Sequence, residues 1–95
     1  MKRKILIITT KNCVGCSIQV EHVQTAIART SKDIELEVND FKELPGRILH
    51  KYKVTDYPAT LFIYKDDKAD EVVKFKYVGS CPVVMIQRYI DVYLK

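Results

Sequence analysis

The feature that most constrains this chain is the junction in "KILIITTKNCVGCSI", Lys4 to Ile18, where a strand-like run passes into a helix-like one. Residues 4–10 are β-rich, and Ile5 to Ile8 are apolar on both alternating faces, the pattern of a strand covered on both sides. Such a strand needs a layer packed on each face. In a chain of 95 residues that means one small domain, read here as residues 1–95, with helices on both sides of one sheet.

The remaining segments fit that plan. A helix is expected over Val14 to Arg29, where Cys16, Val20, Val23 and Ile27 share one face and Ser17, Glu21, Gln24 and Ala28 the other. "IELEVND", Ile34 to Asp40, alternates Ile34, Leu36 and Val38 with Glu35 and Glu37, a strand with a wet acidic face. Pro45 suits the first turn of a short helix with Leu44, Ile48, Leu49 and Tyr52 as its apolar contacts. "TLFIY" (Thr60 to Tyr64) and "EVVKFKYV" (Glu71 to Val78) flank the polar turn "KDDKAD" and read as a hairpin. A last helix is expected over Pro82 to Leu94, with Pro82 in its first turn. The order is β-α-β-α-β-β-α. The first two strands should be parallel through a right-handed crossover and the last two antiparallel, in a central four-stranded mixed sheet.

Composition removes several function classes. The net charge is +4, with 16 basic and 12 acidic residues of mixed placement apart from Lys2, Arg3 and Lys4. No basic stripe with interleaved aromatics is present, so no nucleic-acid partner is expected. The apolar run Ile5 to Ile8 is shorter than the roughly 7–15 residues of a secretory core, and no stretch approaches the ~20 of a membrane span. A cytoplasmic protein with no membrane partner is expected. Its cysteines, Cys13, Cys16 and Cys81, are too few for a disulfide-stapled scaffold.

Cys13 falls where the first helix begins. Unpaired backbone N–H groups and the helix dipole stabilise anions there. The thiolate of Cys13 should therefore form easily: cysteines so placed span pKa values of roughly 3.5–7.5, against about 8.5 for a free thiol. Lys11 adds positive charge. Cys16, one turn on and on the buried face, is placed to attack a mixed disulfide formed at Cys13. The i, i+3 spacing brings the sulfurs within bonding reach, and Gly15 lets a substrate backbone come close. Two other readings of the pair stand beside this one: small inert core residues, or part of a zinc site. The latter needs four ligands, with Cys81, His22 and His50 as the remaining candidates. No metal is expected.

"CVGC" after the first strand, "DYPAT" before the third and "YVGS" before the last helix, in this order, resemble the thioredoxin-like superfamily along essentially the whole chain. The resemblance implies a minimal thioredoxin fold and a cis bond between Tyr57 and Pro58, with Pro58 beside the cysteine pair. It implies that Val14, Gly15, Tyr57, Pro58 and Gly79 border the substrate, an extended segment held on the Tyr57 backbone like an added strand. There are departures. Asn12 stands where thioredoxins usually carry tryptophan, no proline lies between the cysteines, and Ile7 occupies the position of their buried acid. In length and layout the chain is closer to glutaredoxins. "VGSC", Val78 to Cys81, is similar to their glutathione-holding turn, although Pro82 and Val83 replace the acids that usually follow.

The implied function is a monomeric thiol–disulfide oxidoreductase that reduces protein disulfides through Cys13 and Cys16, with no bound cofactor. A thioredoxin reductase-like protein or glutathione would supply electrons. The rivals are a glutathione-dependent glutaredoxin-like reductase, with glutathione as co-substrate, and a non-catalytic partner-binding module using the Tyr57–Pro58 edge. Cys81 is expected to be a semi-buried helix-start residue, and His22 and His50 surface residues.

Overall fold

A computed structural model describes residues 2–68 and 70–95; Ala69, in the turn "KDDKAD", lies outside the described residues. Four strands and three helices follow one another: β1 (Lys2–Thr9), α1 (Val14–Arg29), β2 (Ile34–Asp40), α2 (Gly46–Lys51), β3 (Ala59–Lys65), β4 (Glu71–Val78) and α3 (Val83–Tyr93). A single 3-10 turn, Phe41–Glu43, precedes α2. It is held by a reciprocal cap in which Asp40 accepts from the Lys42 amide and Glu43 accepts from the Asp40 amide.

The sheet order is β2-β1-β3-β4. β1 and β2 are parallel, while β1–β3 and β3–β4 are antiparallel. The strand with apolar residues on both faces is therefore central. Ile5 and Ile7 point to one side, where Val23 and Ala26 of α1 and Ile86 and Ile90 of α3 meet Phe62. Leu6 and Ile8 point to the other, against Ala59, Leu61, Ile63 and Val54, with Leu44, Leu49 and Tyr52 closing that face. Burying each such aliphatic side chain contributes about 1.5–3 kcal/mol, so the double-sided core favours this layering over any arrangement that leaves one face wet.

Several expectations need correction. The buried stripe of α1 is Cys16, Gln19, Val23 and Ala26, with Val20 and Ile27 only flanking it. The helix is rotated so that a polar residue faces the sheet. β2 is an edge strand, and Val38, expected inside, is 42% exposed near its end. Glu37, expected to be solvated, pairs with Lys4, which lies in β1 at 6% exposure between Glu37 (3.4 Å) and Glu71 (3.2 Å). Lys4 thus clamps β2 to β4 rather than adding to a basic N-terminus. Pro45 and Pro82 sit at the caps of α2 and α3, one residue before each helix.

Candidate redox site

The loop from β1 to α1 closes on Asn12, whose φ of 56° lies in the left-handed region that asparagine tolerates better than most residues. That turn sets Cys13 at the cap of α1. Its Sγ accepts a hydrogen bond from the backbone N–H of Cys16 at 3.1 Å. Cys13 and Cys16 form a disulfide, with their Cα atoms 5.2 Å apart. Cys13 is half-buried and Cys16 is 5% exposed, so an incoming group meets Cys13 first. Val14, between them, is 78% exposed.

Pro58 lies across this turn. A Cβ built on Gly15 would stand 3.7 Å from Pro58 Cδ, in ordinary van der Waals contact. The Tyr57–Pro58 peptide is cis. The carbonyl of Pro58 accepts from the Gly79 N–H at 2.8 Å, and Gly79 adopts φ +96°, which an L side chain rarely does. The ring of Tyr57 packs on Phe41, centroids 5.3 Å apart, in the cluster on the α2 side. Cys13, Val14, Gly15, Cys16, Pro58 and Gly79 are thus gathered at one end of the sheet from three separate segments. On the flank of the cysteine pair lies an open groove of about 870 Å³, walled by Thr10, Asn12, Ser17 and Glu21 among others.

One residue that matters here, Gln19, was not singled out from the sequence, and a second, His22, lies elsewhere than expected. Gln19 is fully buried. Its Nε2 donates to Thr60 Oγ1 at 2.9 Å, and its Oε1 accepts from the Cys81 N–H at 3.0 Å. His22, expected at the surface, is half-buried one turn further along α1, with Nδ1 2.8 Å from the Cys81 carbonyl oxygen. A carbonyl only accepts, so Nδ1 carries the proton. A glutamine three residues after the second cysteine, one turn along α1 from it, is the signal that could have found this contact. His50 is exposed.

Cys81 is 4% exposed and outside the disulfide. Burial pushes its thiol up, against the downward pull of the hydrogen bond that Gln19 Nε2 donates to its Sγ at 3.8 Å. Ile7, at the position where a buried acid was considered, is fully buried in the core. Among the described residues no cluster of three or more His, Cys, Asp or Glu side chains is arranged to hold a metal ion. Among them, too, no helix is long and apolar enough to cross a membrane.

No protein-family model matches the chain, and no curated protein does. Solved structures do. A malarial protein aligns over 100% of both chains with a TM-score of 0.77 at 16% identity. Thioredoxin-2 of the malaria parasite's protein secretion machinery aligns with 95% of this chain and 82% of its own, at a TM-score of 0.72 and 14% identity. Trichomonas vaginalis thioredoxin covers 94% of this chain and 77% of its own, at a TM-score of 0.69 and 21% identity. The chain has the thioredoxin-like fold, in its minimal four-stranded form.

Proposed function

We propose that this thioredoxin-fold chain is a thiol–disulfide oxidoreductase that reduces disulfides in proteins. The observation that carries the reading is the position of Cys13. It caps α1, its sulfur accepts the Cys16 amide, and Pro58 stands against the turn beside it. An amide aimed at sulfur stabilises the thiolate more than the thiol, and the thiolate is the nucleophile.

In the reduced protein the Cys13 thiolate attacks one sulfur of the substrate disulfide. The substrate S–S bond breaks, its other sulfur leaves as a thiolate and takes a proton from water, and a Cys13–substrate mixed disulfide remains. Cys16 loses its proton and attacks Cys13 Sγ. The second substrate sulfur leaves as a thiolate and takes up, through water, the proton that Cys16 released, and two electrons have passed from the pair to the substrate. The product is the Cys13–Cys16 disulfide that the structure contains. Exposed Val14, half-buried Gly15, Tyr57 and Gly79, and the buried Pro58 beneath them form the surface on which the substrate segment lies in this reading. An external donor restores the dithiol, either a thioredoxin reductase-like protein or glutathione. The first is favoured because the Cys81 N–H, at the turn where glutathione would lie, is bonded to Gln19. The reading is of a cytoplasmic monomer.

The test is reduction of insulin by dithiothreitol with wild type, Cys13→Ser, Cys16→Ser and the double variant. Wild type should accelerate it, Cys13→Ser should not, and Cys16→Ser should accumulate a mixed disulfide visible by mass. A wild type no faster than the double variant removes the oxidoreductase reading.

A further inference from the structure

Gly79 to Pro82 leaves the sheet after the last β3–β4 pair, Ala59 with Val78, and continues to α3. Its bond back to the sheet is Gly79 N–H to Pro58. Two side chains of α1 then take both backbone polar groups of Cys81: Gln19 accepts from its N–H and His22 donates to its carbonyl. Gln19 also reaches the other side of Pro58, through Thr60, two residues further along β3. One buried amide therefore joins the helix that begins at the cysteine pair, the strand that directly follows Pro58 and the turn that holds the Pro58 carbonyl.

We propose that Gln19 is the positioning residue of the substrate surface, setting Pro58 and Gly79 against the Cys13–Cys16 turn. The kinetic part of this inference rests on the oxidoreductase reading above; the geometric part does not. Both functions of the amide are needed. Its oxygen takes a backbone donor and its nitrogen gives to a hydroxyl and to the Cys81 sulfur, which no apolar side chain of similar length does. Among the described residues no buried side-chain N or O atom is left without a partner, so removal of the amide leaves the Cys81 N–H and the Thr60 hydroxyl seeking others. The Gly79 turn, with φ +96° and few ladder bonds, is the element that yields. The Cys13 sulfur keeps its own partner, the Cys16 N–H, which does not involve Gln19.

The test is Gln19→Leu in the full chain, read in three ways. Hydrogen exchange at the Gly79 amide should speed up about tenfold or more, although Gly79 does not touch residue 19 in its own hydrogen bond. The KM for insulin should rise about fivefold or more, with kcat/KM for a small nitrobenzoate disulfide within about twofold of wild type. The pH profile of Cys13 alkylation should not move. A Gly79 amide that exchanges within about twofold of wild type overturns the proposal, as does a shifted alkylation profile, which would mean that Gln19 acts on the thiol itself. Where Gln19→Leu does not fold, Thr60→Val removes one anchor at constant volume, and the same readouts decide. A wild type that reduces neither disulfide sinks the oxidoreductase reading, and the Gly79 exchange then still decides the positioning role.

Discussion

The sulfur of Cys13 lies 3.1 Å from the backbone nitrogen of Cys16 and accepts its N–H. The bond is local: three residues, one helix start, no contribution from the rest of the fold. If the bond persists on reduction, Cys13 is expected to form its thiolate readily even with Ile7 in the core below it. Iodoacetamide labelling of reduced protein should show a half-maximal rate for Cys13 below the roughly 8.5 of a free thiol. A midpoint at or above that value contradicts the assignment of Cys13 as attacking group.

Cys81 should behave in the opposite way. Burial at 4% exposure blocks access, and the same burial pushes its thiol above the ordinary range. In reduced native protein at neutral pH, Cys13 should label at least about tenfold faster than Cys81. Mass spectrometry of peptides after a short pulse checks this. Rapid native labelling of Cys81 would show that the turn it occupies opens readily.

The glycines at 46 and 79 predict opposite responses to one methyl group. Neither Cβ would meet an atom within 4 Å, so sterics with neighbours do not decide. Gly79 has φ +96°, and Gly79→Ala should cost on the order of 1–2 kcal/mol of strain. Gly46 opens α2, and Gly46→Ala should gain about 0.5 kcal/mol through lower unfolded-state entropy. Urea midpoints of the two variants should move in opposite directions. A Gly79→Ala midpoint equal to wild type refutes the strain argument.

Lys4 links stability to alkaline pH. Desolvation lowers its pKa and is the largest single influence. The hydrogen bonds and charges of Glu71 and Glu37 together outweigh it, so the folded value lies above 10.5. A cation with a raised folded pKa stabilises fully below its unfolded value and loses that contribution as pH climbs through the folded one. Melting temperature should therefore fall above about pH 10.5, and the fall should be shallower in Lys4→Met. Parallel alkaline limbs in the two proteins would show that the clamp contributes nothing.

What the residues determined by themselves was local. Periods of two and of about 3.6 marked the strands and helices to within a residue or two, because burial on one face leaves that imprint in any chain. The place of the cysteine pair at a helix start was legible from the strand-to-helix junction, while the proline before β3 and the glycine after β4 were picked out by the family resemblance. The roles of Gln19, His22 and Lys4 were decided by tertiary structure. Gln19 is 41 residues from Thr60 and 62 from Cys81. A polar side chain can enter a core only where distant backbone and hydroxyl groups arrive to satisfy it, and periodicity carries no record of such a meeting. Val38 shows the converse: its alternation was that of a buried residue, but its strand became the edge of the sheet, and nothing packs far enough over that end to cover it.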